Sequence, residues 1–144
     1  MNTLYCGYRP FTRYWWRHWF NPKTYTFFIK CRWQRSARGW ADCDVWSFDS
    51  YLSEVIIGGL TRLKERQTGY PCALTEEQWN AILGEIIAGF QADLRISESP
   101  NSYPELGDYT SEKHDLFKQR EEADQVVAAK GMKLFSEWYG HFWD

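Results

Sequence analysis

Apolar side chains recur at three- and four-residue intervals through WADCDVWSFDSYLSEVIIGGLTRLKER, residues 40–66, at Val45, Phe48, Leu52, Val55, Ile56, Leu60 and Leu63. A half-buried strand would need alternation with period two, so this spacing commits the segment to an amphipathic helix whose apolar side other elements must cover. The same interval returns at Trp79, Leu83, Ile86, Ile87, Phe90 and Leu94, after Thr75 and Gln78 at the spacing of a capping box. A second long helix is therefore expected from there to about Arg95. Gly69 and Pro71 mark the turn between the two. Long helices joined so briefly should pack antiparallel. Gly58 and Gly59 each cost about 1 kcal/mol in a helix interior relative to Ala, which predicts either a local bend or, the favoured cause, another helix crossing closely at that point.

The flanking segments read the same way. Asn21 and Pro22 look like an N-cap and first helical residue, opening a helix to Arg38 with Gly39 beyond its end. From Ser111 a last helix carries Leu116, Phe117, Ala123, Val127, Leu134 and Trp138, with Gly140 as its expected C-cap. Residues 96–110 lose periodicity and collect Pro100, Pro104 and Gly107, the composition of a surface loop. Phe11 to Phe20 predicts a short basic helix with Arg13 and Arg17 on one side and Trp16, Trp19 and Phe20 on the other. Thr24 to Phe28 alternates weakly, but its flanking signals favour helix. The expected fold is all-α, a compact bundle of four or five helices with a basic aromatic N-terminal segment, in one domain over residues 1–144. Trp46, Leu52, Ile56, Leu60, Trp79, Leu83, Ile87, Phe90, Leu134 and Trp138 are expected in its core.

Charge is distributed very unevenly. Residues 1–40 hold eight Lys and Arg, thirteen aromatic residues and no Asp or Glu, leaving nine cations against nineteen carboxylates in residues 41–144. The overall balance of -2 conceals this division between a basic segment and an acidic remainder. No uncharged stretch approaches the roughly 20 residues of a spanning helix, and Arg9, Arg13 and Arg17 interrupt every candidate secretory leader. A cytoplasmic protein is the expectation. Cys6, Cys31, Cys43 and Cys72 show no zinc-type pairing, so no metal or cofactor is called for; their even number would permit two disulfides, but the missing secretory leader and an adequate core favour reduced, partly buried thiols.

Two clusters are candidates for function. Arg9, Arg13, Trp15, Trp16, Arg17 and Trp19 combine cations with large rings, a composition suited to a protein partner, a nucleotide or single-stranded nucleic acid, or an anionic membrane surface. The bland alternative packs these rings on the core of the same chain. Arg35, Arg38, Trp40, Asp42, Asp44, Trp46 and Asp49 form the second cluster. Its carboxylates suit a divalent cation and its indoles a planar ligand; the plainer reading makes Asp42 or Asp44 a helix cap, Trp40 and Trp46 core anchors, and Asp49 a salt-bridge partner of Arg35 or Arg38. His18, His114 and His141 have no partner at metal or triad spacing, and no nucleophile elbow, zinc-protease helix, phosphate loop or dinucleotide fingerprint is present.

The blocks RGWADCDVWSFDSYLSEVIIGGL, GYP, LTEEQWNAILGEIIAGF and EWYGHFWD resemble a group of small bacteriophage-encoded proteins to which no reaction is attached. That resemblance implies a viral accessory gene. With no catalytic motif beside it, the expected function is non-catalytic binding and inhibition of a host factor, as in counter-defence. The other expectations are sequestration of a nucleotide signal or short nucleic acid by the N-terminal cluster, and a metal-dependent enzyme built on Asp42, Asp44 and Asp49. Surplus aromatic surface also makes self-association an option.

Overall fold

The computed structural model describes residues 22–67, 69–98, 103 and 110–142. The expected Phe11 to Phe20 helix, the Asn21 cap and most of the 96–110 loop lie outside them. Four α-helices are present among the described residues and no strand: α1 (Pro22–Arg38), α2 (Phe48–Arg66), α3 (Glu76–Glu98) and α4 (His114–Trp138). None is long and apolar enough to cross a membrane. The chain divides into two compact units, Met1–Tyr51 and Leu52–Asp144, with the boundary inside α2.

In the first unit α1 ends as its sequence dictates. Gly39 takes a φ of +85°, the left-handed conformation that a Cβ would strain, and its N–H donates to the Arg35 carbonyl at 2.9 Å. The chain then reverses. Ala41 is fully buried, and the Tyr51 hydroxyl donates back to the Gly39 carbonyl. A 3₁₀ turn, Asp44–Ser47, precedes α2.

In the second unit the tightest packing joins α3 to α4. They run antiparallel: Trp79 meets Trp138 edge-on at 5.6 Å, while at the other end Arg95 donates to both Asp124 carboxylate oxygens at 2.7 and 2.9 Å. Between these ends the backbones nearly touch, because a Cβ built on Gly89 would stand 2.5 Å from the Gly131 Cα. Ala92 and Ala128 are buried beside this crossing. α2 lies antiparallel to α3, with Ser53 donating to Asp93 and Gln67 to Asn80, both at 2.9 Å. The core cluster is Leu60, Trp79, Leu83, Ile86 and Phe90, each contributing about 1.5–3 kcal/mol by burial if fully withdrawn from water. The capping box at the start of α3 forms reciprocally: the Thr75 N–H donates to Gln78 Oε1 at 2.9 Å and the Gln78 N–H to Thr75 Oγ1 at 3.3 Å.

Several expectations are corrected. Gly58 and Gly59 face open space, and the close crossing falls at Gly89 and Gly131 instead. Leu116 and Val127 are exposed, because the narrow approach of α3 requires the small Ala128 and Gly131 to face it. Gly140 lies in a 3₁₀ turn, Tyr139–His141, that prolongs α4 and lets Phe142 stack on Trp79 and Phe135. Of the residues expected in the core, Trp46 and Leu52 are exposed; Ile56, Ile87, Leu134 and Trp138 are half-buried. α3 also continues through residues 96–98, so the loop begins later than its composition suggested.

Within that loop Tyr103 is 3 % exposed, packs edge-on against Phe117 and donates its hydroxyl to Asp124 at 3.0 Å. Burial and the neighbouring Asp124 carboxylate push its phenol up from 10.0 to about 12. A raised folded-state value means that this stabilisation is whole below pH 10.0 and is lost as the pH rises through about 12. Between those limits the wild type should lose on the order of 2 kcal/mol more than Tyr103→Phe, measured by urea titration at each pH.

The glycines make a prediction of opposite signs. Gly89→Ala should destabilise by about 1–3 kcal/mol or more, since backbone has no room to yield, whereas Gly58→Ala should stabilise by up to about 1 kcal/mol. Chemical denaturation of the two variants checks both signs.

Candidate functional site

The second candidate cluster assembles at the C-terminal end of α1. Arg35 and Arg38 occupy its last turn, where the helix dipole favours cations, and the reversal at Gly39 brings Asp42 and Asp44 back over them. Arg35 grips Asp44 with two donors, Nε to Oδ2 at 3.0 Å and a second guanidinium nitrogen to Oδ1. The Ala41 N–H donates to Oδ2 at 2.8 Å and the Cys43 thiol lies 3.6 Å from Oδ1. Every acceptor site of this carboxylate therefore has a partner, which its 1 % exposure demands. Burial alone would raise the Asp44 carboxyl; the Arg35 bonds and the Ala41 N–H outweigh it and hold it below the ordinary range.

Asp42 is the exposed counterpart. Gln34 Nε2 donates to it at 2.7 Å, Arg38 donates to Oδ1, and Lys30 Nζ lies 3.1 Å from Oδ2. Gln34, Arg38 and Lys30 together hold its carboxyl well below the usual range. Gln34 also accepts from the Asp42 N–H at 3.0 Å, so one buried amide satisfies both side chain and backbone of the loop. The Arg38 guanidinium stacks 3.7 Å over the Trp40 ring and donates to the Trp40 carbonyl at 3.1 Å.

The predicted residues are thus only partly brought together. Arg35 with Asp44, and Arg38 with Trp40 and Asp42, interlock. Neither aspartate caps α2: the residue before the 3₁₀ turn is Cys43, with no side-chain cap, because the Asp44 carboxylate turns back to Arg35. Asp49 sits exposed in the first turn of α2, Arg35 and Arg38 being engaged by Asp44 and Asp42. Trp40 and Trp46 are not core anchors. Trp46 is 94 % exposed, since the short 3₁₀ turn directs it away from the buried Asp44 beside it. Arg9, Arg13, Trp15, Trp16, Arg17 and Trp19 lie outside the described residues.

The participants missed by sequence reasoning are Lys30, Gln34 and the pair Cys31 and Cys43, whose sulfurs stand 3.1 Å apart. Their twelve-residue separation matches no motif, and only the Gly39 reversal juxtaposes them. Among the described residues no three His, Cys, Asp or Glu side chains gather to hold a metal ion. What the cluster does chemically is hold a corner of backbone with charge-assisted bonds.

Large rings around this corner are exposed. Trp33 is 70 % exposed on α1, with Ile29 exposed one turn earlier, and Val45 is exposed next to Trp46. Open grooves among the described residues of the second unit include two. One, of about 500 Å³, is lined by Ile56, Leu60, Phe135 and Phe142 with Arg62 and Arg66; the other, of about 610 Å³, by Tyr70, Cys72, Glu137, Trp138 and His141. No protein-family model, curated protein or solved structure matches the chain.

Removing one partner of a buried ion pair strands the other. Asp44→Ala should therefore cost about 3–5 kcal/mol in urea denaturation. Asp42→Ala should cost less, its carboxylate being solvated. The depressed Asp44 carboxyl contributes stability above the ordinary carboxylate range that disappears on acidification below it, so Asp44→Asn should flatten the acid limb of the stability profile.

Proposed function

We propose that this chain is a non-catalytic phage accessory protein that acts in the host cytoplasm by binding a host protein and blocking it, in the manner of a counter-defence inhibitor. The observation that carries this reading is Trp46, 94 % exposed beside the exposed Val45. A tryptophan held in water forgoes the burial that a core position would give it, and tryptophan is the side chain most often found at the energetic centre of protein interfaces. Trp33 and Ile29 add a second exposed apolar pair on α1. The resemblance of the residue 38–60 and 74–90 blocks to small phage proteins supports the viral setting.

Charge favours an acidic partner. Residues 1–51 hold eight cations and the carboxylates of Asp42, Asp44 and Asp49 only, against nine cations and sixteen carboxylates in residues 52–144. Of the cations open to either kind of acidic partner, Lys30, Arg35 and Arg38 are already engaged by Asp42 and Asp44, which leaves nucleotide or single-stranded nucleic acid sequestration to the N-terminal Arg9, Arg13 and Arg17 with their neighbouring tryptophans. The metal-enzyme reading has less support, since Asp42 and Asp44 are spent on internal bonds.

The test uses the protein as bait in host lysate, followed by affinity measurement with the purified partner. Trp46→Ala should weaken binding at least tenfold, corresponding to about 1.4 kcal/mol or more, with far-ultraviolet circular dichroism unchanged. Lys133→Ala, on exposed α4 surface, should leave affinity unaltered. Equal binding by wild type and Trp46→Ala would overturn the assignment of this surface; a heat-shift response to cyclic dinucleotides or oligonucleotides in place of any protein partner would favour the nucleotide reading.

A further inference from the structure

We infer that Cys31 and Cys43 form a redox-active dithiol, a modification site that closes to an intramolecular disulfide and locks the α1 corner. Both are thiols in this structure, with sulfurs 3.1 Å apart. Disulfide bond length is about 2.05 Å, so closure needs only about 1 Å of approach, within the reach of small side-chain rotations. The two come from elements already fixed against each other, because Gln34, Arg35 and Arg38 on α1 hold Asp42 and Asp44 on either side of Cys43. Bond formation would therefore start from two sulfurs already in contact.

The surroundings also order the chemistry. Cys31 is buried and Cys43 half-buried, so an external oxidant reaches Cys43 first. The Arg35 guanidinium lies 3.8 Å from the Cys43 sulfur, and the Asp44 carboxylate 3.6 Å from the same sulfur, so the thiol that meets the oxidant is held in place from both sides. The electron acceptor is a low-molecular-weight disulfide such as oxidised glutathione. The Cys43 thiolate attacks one of its sulfurs, forming a mixed disulfide and expelling one thiolate. Cys31 then attacks the Cys43 sulfur, expelling the second. Two protein thiols become one disulfide, the small disulfide is reduced to two thiols, and the two protons lost by the cysteines pass to the leaving thiolates.

The pair is not assignable from sequence, where any of four cysteines is an equal candidate. Nor does the site depend on what the exposed tryptophans bind. Its effect falls on the loop that precedes Val45 and Trp46, so closure would restrict the segment that carries them.

The experiment is titration of the full-length protein with reduced and oxidised glutathione, followed by trapping of remaining thiols with an alkylating reagent and peptide mapping by mass spectrometry. The expected result is a peptide cross-linked through Cys31 and Cys43, in a monomer lighter by about 2 Da, opened again by reduced glutathione. Thermal unfolding of the oxidised form should shift upward by several degrees. Cys43→Ser and Cys31→Ala should each abolish the cross-link and the shift; Cys72→Ser should abolish neither. Two variants at the pair guard against misfolding of one, and Cys43→Ser, at the less buried position, is the safer. A cross-link of Cys31 to Cys6, oxidation confined to Cys72, or both Cys31 and Cys43 remaining alkylatable in excess oxidised glutathione would overturn the proposal.

Discussion

The second unit depends on how near two helices can come. At Gly89 and Gly131 the backbones of α3 and α4 approach until no Cβ fits between them, and the side chains on either side are arranged around that contact. Toward one end, Trp79, Phe90, Phe135, Trp138 and Phe142 meet in edge-on and stacked ring contacts; toward the other, Arg95 and Tyr103 both donate to the Asp124 carboxylate. Shape specificity comes from the glycines and burial energy from the rings. Dispersion rewards such contact only when it is close, which is why a narrow crossing and a dense aromatic end belong together. α2 joins from the side through Leu60 and its neighbours without so close an approach.

The first unit relies on different physics. Its corner buries one carboxylate, Asp44, and meets the cost of taking a charge out of water by giving it a two-donor guanidinium, a backbone N–H and a thiol. Such an arrangement is worth less as stabilisation than as specification: broken, it is costly, while intact it fixes one path for the chain. The path it fixes sets Cys31 beside Cys43 and turns Val45 and Trp46 to solvent. Structural bonding and exposed aromatic surface are thus two sides of the same turn.

Much of the fold was legible from residue patterns. The three- and four-residue repeats located α2 and α3, Thr75 and Gln78 formed the capping box that their spacing suggested, and Gly39 ended α1 with a positive φ. These features are local, governed by hydrogen bonds within a few residues. The site was less legible. Charge identified Arg35, Arg38, Asp42 and Asp44 as a group, but capping geometry and ion pairing compete for the same carboxylates, and only the arrival of Arg35 from α1 decided for pairing. Trp46 was misplaced because hydrophobicity predicts a wish for burial and not whether a neighbour is available to provide it.

By itself, then, the sequence determined that the chain is helical, where its helices run, and that its cations and rings concentrate at one end, because periodicity, capping and composition act through near neighbours. Tertiary structure decided which glycines mark a crossing, which apolar stripe remains in water, which carboxylate is buried and which cysteines meet. Gly58 and Gly89 read alike in one dimension; one faces open space and the other a second backbone. The reason is that a helix offers every side of itself at once, and the choice among those sides is made by the elements that pack against it, through distances that residue spacing along a single chain does not encode.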